Sequence, residues 1–231
     1  MRTMRILICD IRYQIKYGFY FLYGAISILY LGVLLVLPED LAGHATALII
    51  LTDPAVLGFF FIGGMVLLER GEGLHSYFAI LPATEGEYVM SKALSLSMIS
   101  TFVAVVIAGV MYGLEVNWLL LIPGVFFGAG IFTLAGLIVG TRARSVNHYF
   151  VIGVPVGILL IAPTFLVYLD WNLLPLEILP ATLLLRLLYG AIGLEVPYTP
   201  WFALGGILLW CIPVYIFARR AFARYIDQEV N

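Results

Sequence analysis

Charged residues are scarce in this 231-residue chain, and their scarcity excludes an ordinary water-soluble domain. Only 11% of the residues are Asp, Glu, Lys or Arg, whereas 63% are hydrophobic. A soluble globular domain carries about 25% charged residues. The net charge of −2 gives no sign of a nucleic-acid partner, and none is expected. The composition therefore indicates a membrane protein.

Cysteine and histidine are also rare, which limits the chemistry that the chain can perform. Cys9 precedes the first long apolar run and Cys211 lies inside the last one, so no disulfide is expected. The three histidines lie in separate segments, so no shared metal site is expected. The sequence has neither a Gly-x-x-x-x-Gly-Lys-Ser/Thr phosphate loop nor a Gly-x-Ser-x-Gly elbow. We therefore expect no catalytic site and no ATP or Mg²⁺ bound by this chain itself.

Long apolar runs make up most of the chain. A bilayer core about 30 Å thick needs about 20 apolar residues as helix, and each run is about that long. The sequence predicts one all-α transmembrane domain, residues 1–231, with six spans. The spans are expected near residues 18–37, 45–68, 93–113, 119–140, 149–169 and 200–218.

The Lys and Arg residues occupy alternate gaps between these runs. Of the 12 in the chain, only Arg186 falls in a gap on the other side. Because the bias of Lys and Arg in short loops sets membrane orientation, both termini are predicted to be cytoplasmic in a multi-pass protein of the cell membrane. The eleven on the predicted cytoplasmic side are Arg2, Arg5, Arg12, Lys16, Arg70, Lys92, Arg142, Arg144, Arg219, Arg220 and Arg224.

The first residues are predicted to form an amphipathic helix. Within residues 2–17, apolar side chains recur at helical spacing while Arg5, Arg12 and Lys16 fall elsewhere. This pattern is typical of a helix lying in the membrane interface. The alternative is a plain charged leader to the first span.

An acid interrupts the second run at Thr52-Asp53-Pro54. Asp is a good N-cap and Pro suits the first helical position, so the span is predicted to restart at Pro54, with residues 42–52 as a separate short piece. The alternative is that Asp53 is a functional intramembrane acid.

The gap 69–92 holds the most structured predicted cytoplasmic segment. Leu74, Tyr77, Phe78 and Leu81 follow the spacing of a one-faced short helix, which Pro82 ends. Thr84-Glu85-Gly86-Glu87 then matches a capping box that opens the third span. The short helix is a natural docking surface for a partner, and the alternative is a loop whose apolar face rests on lipid.

The predicted outer gap 170–199 contains a second short apolar helix. Pro180 to Tyr189 is too short to span, so a re-entrant or interfacial helix ending at Gly190 is predicted. Arg186 is expected to reach water or phosphate headgroups with its guanidinium, or else to bind a substrate. Four Gly-x-x-x-Gly spacings, including Gly124/Gly128 and Gly136/Gly140, predict close helix packing within or between subunits.

These features together resemble the permease subunits of type-2 ATP-binding-cassette (ABC) exporters, and most of all the fluoroquinolone-type drug export branch. The resemblance covers the whole chain. Its most specific stretch begins at Thr52-Asp53-Pro54, continues through Leu67-Leu68-Glu69-Arg70-Gly71-Glu72-Gly73 and Leu81-Pro82, and ends at Glu87-Tyr88-Val89-Met90-Ser91-Lys92.

The resemblance implies a non-enzymatic subunit that exports a lipophilic or amphipathic, drug-like or lipid-like substrate. It implies a separate cytoplasmic ABC ATPase that binds ATP and Mg²⁺, and a homodimer or a heterodimer with a similar permease in membrane lipid. The implied residues of coupling to the ATPase are Glu69, Arg70, Glu72, Leu74, Tyr77 and Phe78.

Two other functions remain open on the residues alone. A stand-alone secondary transporter or channel would be supported by an inverted repeat, and the predicted coupling segment has no counterpart between runs four and five. An intramembrane enzyme of lipid metabolism would need acids or histidines clustered at one depth, and the sequence suggests no such cluster.

Overall fold

The protein is helical throughout the part that the computed structural model describes, which is residues 2–74, 84–168 and 174–230. A π-helical turn, Leu51–Ala55, joins the third and fourth helices, and a 3₁₀ turn, Gly113–Glu115, follows the fifth. The helices are α1 Arg2–Lys16, α2 Phe19–Leu34, α3 Glu39–Ile50, α4 Val56–Gly71, α5 Glu85–Tyr112, α6 Trp118–Gly140, α7 Val146–Tyr168, α8 Leu174–Glu177, α9 Pro180–Ala191 and α10 Pro200–Val230.

Within the described residues, five helical segments are long and apolar enough to cross a membrane. The bent pair α1–α2 makes a sixth if it is counted as one span. Taken alone, α2 has 16 residues, about 24 Å of helix, which is short for a bilayer core. The prediction of an all-α polytopic membrane protein is confirmed. The five segments are Asp40–Gly71, Glu85–Glu115, Trp118–Gly140, Val146–Leu166 and Pro200–Gln228.

The first helix turns a polar side inward. It meets α2 at a 64° bend, where Gly18 has a φ of 76° that few residues other than glycine adopt. Asp10 and Gln14 are buried against the bundle, whereas the apolar Met4 and Ile8 are exposed. An exposed apolar face is what a helix in the membrane interface requires, and the inward polar face is a feature that the apolar periodicity did not reveal.

Asp53 does not cap a helix, so that prediction is wrong. The chain stays helical from α3 into α4, and Asp53 lies within the π-helical turn. Pro54 has no N–H to donate, so a regular α-helical hydrogen bond cannot form there, and a wider turn accommodates the proline without ending the helix. The acid is consequently held inside the bundle, at 3% exposure.

Helix α6 lies at the centre of the bundle and contacts α4, α5, α7, α9 and α10. Its glycines permit these close approaches. A Cβ at Gly136 would lie 2.2 Å from the Phe59 carbonyl oxygen of α4, and a Cβ at Gly124 would lie 2.3 Å from Leu187 of α9. These Gly-x-x-x-Gly glycines therefore serve packing within the subunit, one of the two predicted uses.

Helix α9 is a short buried element that is not long enough to span. It ends at Ala191 and not at Gly190, because the left-handed residue after the helix is Gly193, with a φ of 81°. Gly190 lies against Pro200 instead. The predicted C-cap at Gly190 is therefore wrong.

Arg186 of α9 forms an ion pair that was not predicted from the sequence. Its Nη2 lies 2.7 Å from Glu177 Oε1, and the Tyr198 hydroxyl donates to Glu177 Oε2 at 3.1 Å. Burial lowers the pKa of the Arg186 guanidinium, but the hydrogen bonds and charge of Glu177 outweigh it, so the net pKa direction is upward. Arg186 therefore stays charged and ties α9 to α8.

Candidate functional site

A buried ion-pair cluster joins three helices on either side of the segment that links α4 to α5. Lys92 of α5 is 1% exposed, and its Nζ lies 2.5 Å from Asp10 Oδ1 of α1. It also donates to Glu69 at the end of α4. The ammonium is thus held between two carboxylates from two other helices. We call Asp10, Glu69 and Lys92 the charge cluster.

Polar and aromatic side chains complete the surroundings of the charge cluster. Ser91 donates to Asp10 Oδ2 at 2.5 Å, and Tyr88 donates to Glu69. The Lys92 ammonium lies 4.9 Å from the centre of the Tyr88 ring, in cation–π range. These contacts supply the hydrogen bonds that a buried charge requires.

A second polar contact extends the connection between α1 and α5. Gln14 donates to Ser95 Oγ at 2.8 Å, one helical turn beyond the charge cluster. Asp10 and Gln14 thus lie on one face of α1, while Ser91, Lys92 and Ser95 lie on the facing side of α5. The two helices are fastened by side-chain bonds over a full turn.

The charge cluster has two carboxylates and one ammonium, so Lys92 is the only counter-charge within the cluster. In a low-dielectric interior the attraction of each carboxylate for Lys92 is strong, and removal of the ammonium would leave two uncompensated acids. Among the described residues, no group of His, Cys, Asp and Glu could hold a metal ion. The geometry is that of a mechanical joint between α1, α4 and α5.

The predicted coupling residues divide between this joint and the surface. Glu69 is 5% exposed and belongs to the charge cluster. Glu72 and Leu74 are exposed at the start of the linking segment, where the Tyr17 hydroxyl donates to Glu72. Tyr77 and Phe78 lie outside the described residues. The role of these residues toward an ATPase stays a prediction.

Arg70 is half-buried and contacts two further parts of the bundle. Its Nη1 donates to the Ala143 carbonyl oxygen at 3.4 Å, and its guanidinium lies 5.8 Å from the Tyr225 ring centre. On the neighbouring turn of α10, Phe222 stacks on Tyr88 with ring centres 4.2 Å apart. The end of α4 is therefore connected to α10 and to the turn after α6.

The linking segment leads into α5 through the predicted capping box, which is confirmed. Thr84 N–H donates to Glu87 Oε2 at 2.9 Å, and Glu87 N–H donates to Thr84 Oγ1 at 3.3 Å. Both ends of the segment are therefore anchored, the first by Glu69 and Arg70 and the second by this box.

The sequence did not indicate that four residues belong to the site: Asp10, Gln14, Ser91 and Lys92. The signal that could have found them was a polar i, i+4 pair, Asp10 and Gln14, on a helix that was assigned by its apolar residues alone. Lys92 was counted as a topological charge and quoted in the family resemblance, but it was given no role in a site although it lies on the long helix α5.

An apolar groove lies between α5, α6 and α10. It encloses ≈ 310 Å³. Its lining includes Met90, Phe126, Phe127, Tyr215 and Ile216, and polar atoms contribute little to its surface. A groove of this volume and character suits an apolar or amphipathic molecule.

Comparisons with known proteins bear directly on the identity of the chain. A family-wide sequence model described as the fluoroquinolones export permease protein family matches residues 1–229. A fluoroquinolones export permease protein of Mycobacterium tuberculosis strain CDC 1551 is 31% identical over 215 residues, which cover 90% of this chain and 90% of that protein. The protein of the same name in strain H37Rv matches equally. The match over nearly the whole length of both chains shows that this membrane protein belongs to the fluoroquinolones export permease protein family.

Proposed function

We propose that this chain is the membrane-spanning permease subunit of an ATP-driven ABC exporter. It would lie in the cell membrane with both termini in the cytoplasm, and a separate cytoplasmic ATPase would bind ATP and Mg²⁺. Family membership and the names of the relatives support a role in export. The 11-to-1 division of Lys and Arg supports the orientation.

The observation that carries the proposal is the charge cluster at the base of the linking segment. Glu69 precedes the segment and Lys92 follows it, and their ion pair closes its base. Asp10 adds α1 to the same joint. A force applied to the segment by a partner would thus reach α1, α4 and α5 together, since a buried ion pair with satisfied hydrogen bonds resists local distortion.

Within this proposal the coupling residues have two tasks. Glu72, Leu74, Tyr77 and Phe78 would contact the ATPase, the acid orienting the contact and the apolar side chains anchoring it. Glu69 and Arg70 would hold the segment to the bundle through Lys92 and Ala143. The division follows from the burial of Glu69 and the exposure of Glu72 and Leu74.

The substrate would be lipophilic or amphipathic. The apolar groove between α5, α6 and α10 supports this assignment, as do relatives named for fluoroquinolone export. The groove opens on the outer surface of the subunit, where lipid or a second permease subunit would face it. The working unit would be a homodimer or a heterodimer with a similar permease.

The test is co-purification of the candidate ATPase with the tagged permease from detergent-solubilised membranes. Changing Tyr77 and Phe78 to Asp is expected to abolish recovery of the ATPase, because charged side chains cannot anchor an apolar contact. Val146→Asp is the matched control, since Val146 is exposed on the same predicted membrane face but outside the linking segment. That variant is expected to retain the ATPase.

Two results would contradict the proposal. Equal recovery of the ATPase by wild type and by the Tyr77/Phe78 double variant would remove the linking segment from the mechanism. Export that persists in a strain lacking every candidate ATPase would favour a stand-alone secondary transporter. The co-purification requires that the variants elute as wild type on size exclusion, which shows that the permease is folded.

A further inference from the structure

Asp53 is a buried intramembrane acid that the charge cluster does not use. One of its carboxylate oxygens has no hydrogen-bond partner, although the side chain is only 3% exposed. A buried unpaired polar atom lowers the stability of the folded state, and a charged one lowers it more. Such a group requires an explanation, and an ionisable residue inside a membrane protein is a marker of a binding site or pathway.

The position of Asp53 along its span places it far from both membrane surfaces. It lies 13 residues after Asp40 and 18 before Gly71 in the continuous Asp40–Gly71 segment. These separations correspond to about 20 Å and about 27 Å of helix. Neither α2 nor α3 carries Lys or Arg, and over the described residues no basic side chain is paired with this acid. Within the described part of the chain, the Asp53 carboxyl group therefore lacks a positive partner, and a bound cation would favour its ionised form.

The surroundings of Asp53 are suited to a cation on an apolar body. Tyr23 and Tyr30 of α2 lie close enough to interact electrostatically with the carboxylate. The Tyr23 ring also meets Phe61 edge to face at 4.8 Å, and its hydroxyl lies 3.3 Å from Ser100 Oγ. Aromatic faces and phenol oxygens both bind ammonium groups, and the adjoining apolar surface would take the rest of such a molecule.

Helix α2 carries both tyrosines and packs against α3 and α5. It lies at the periphery of the bundle, with Phe21 and Ile28 exposed at 81% and 72%, and it connects to α1 through the Gly18 bend. The π-helical turn Leu51–Ala55 behind Asp53 packs against α5 and α6. Displacement of α2 about Gly18 would open a path to Asp53 without disturbing that packing, and return of α2 would place Tyr23 and Tyr30 beside the bound molecule.

We infer that Asp53, with Tyr23 and Tyr30, binds the ammonium group of a lipophilic amine in the membrane interior. This inference rests on the proposed export function, because it assigns a charge to the substrate. A phospholipid headgroup could supply the same ammonium, so the test must separate a free amphiphile from a lipid.

The test uses the purified permease without an ATPase, in nanodiscs of phosphatidylglycerol. The probes are dansylcadaverine, which carries a primary amine, and its N-acetyl derivative, which has the same apolar body and no charge. Binding is followed by dansyl fluorescence. Asp53→Asn is expected to weaken binding of the amine roughly tenfold or more, since an ionic hydrogen bond is lost. It should leave binding of the acetylated probe unchanged.

Two matched variants test whether the charge itself is responsible. Asp53→Glu keeps the carboxylate and is expected to retain preference for the amine. Asp40→Asn removes an exposed acid from the same helical segment and is expected to bind both probes as wild type does. Equal affinity of wild type and Asp53→Asn for the amine, or equal loss of both probes, would overturn the inference.

The source of the ammonium is decided by changing the lipid. After subtraction of binding to empty nanodiscs of the same lipid, which removes attraction of the amine to anionic headgroups, probe binding in phosphatidylethanolamine is expected to persist as in phosphatidylglycerol, because a headgroup does not reach the depth of Asp53. Abolition of probe binding by phosphatidylethanolamine would make the headgroup the occupant and overturn the inference. Because no ATPase is present, a failure here is distinct from a failure of ATPase co-purification.

Discussion

Lys92 Nζ lies 2.5 Å from the Asp10 carboxylate, so a side chain of the long helix α5 holds the first helix of the chain to the bundle. The same ammonium binds Glu69 at the end of α4. Since Glu69 and Lys92 flank the linking segment, this one amine connects α1, α4 and α5 at the base of that segment.

Removing Lys92 is expected to damage the protein more than removing either acid. Lys92→Met leaves two buried carboxylates without a counter-charge, and breaking a buried ion pair in this way costs about 3–5 kcal/mol. Glu69→Gln and Asp10→Asn each leave a neutral pair, so their melting temperatures in detergent should lie between those of Lys92→Met and wild type. A Lys92→Met protein that melts with wild type would show that the charge cluster carries no stability.

Tight packing around α6 gives a prediction with an internal control. Gly136→Ala would place a methyl group 2.2 Å from the Phe59 carbonyl oxygen and 2.7 Å from Phe59 Cα, and backbone cannot move aside cheaply. We expect a loss of about 1–3 kcal/mol in stability. Gly64→Ala on α4 meets no atom within 4 Å and should be neutral or slightly stabilising. Thermal unfolding in detergent compares the two, and equal effects would contradict this account of the α4–α6 contact.

The membrane orientation can be read from a native cysteine. Cys9 is exposed on α1 and should react with an impermeant maleimide only after the cells are permeabilised, because the amino terminus is predicted to be cytoplasmic. In a Cys9→Ser, Cys211→Ser background, a cysteine replacing the exposed Ile178 should react in intact cells. Labelling of Cys9 in sealed cells, with Ile178→Cys unreactive, would show that the membrane orientation is the reverse of the predicted one.

The Arg186–Glu177 pair should contribute measurable coupling between α8 and α9. Glu177 accepts from Arg186 Nη2 at 2.7 Å and from Nε at 3.3 Å, a two-point contact in a half-buried setting. A double-mutant cycle of Arg186→Met and Glu177→Gln is expected to give about 1 kcal/mol of coupling. Additive effects of the two substitutions would show that Arg186 does not interact energetically with Glu177.

Long periodic features were predictable from the sequence, whereas the buried charges were not. The length of the apolar runs indicated the spans. The capping box was predictable because its two residues, Thr84 and Glu87, are close together in the sequence. Asp10, Glu69 and Lys92 are 59 and 23 residues apart along the chain, and only tertiary packing brings them together. Local spacing cannot reveal such a contact.

At Asp53 the local sequence pattern predicted a helix start, but the chain remains helical through this residue. Asp followed by Pro is a common helix start, but the same pair is tolerated inside a helix when a π-helical turn takes up the missing hydrogen bond. The apolar neighbours on both sides favoured continuation of the helix, and burial against α5 and α6 outweighed local capping preference.

Transport in reconstituted vesicles tests the central claim most directly. Inside-out vesicles containing the permease and its candidate ATPase are predicted to accumulate a fluoroquinolone only with ATP and Mg²⁺, and to lose this activity when the Lys of the ATPase phosphate loop is changed to Ala. Accumulation by the permease alone, driven by a proton gradient without ATP, would contradict the account and identify a secondary transporter.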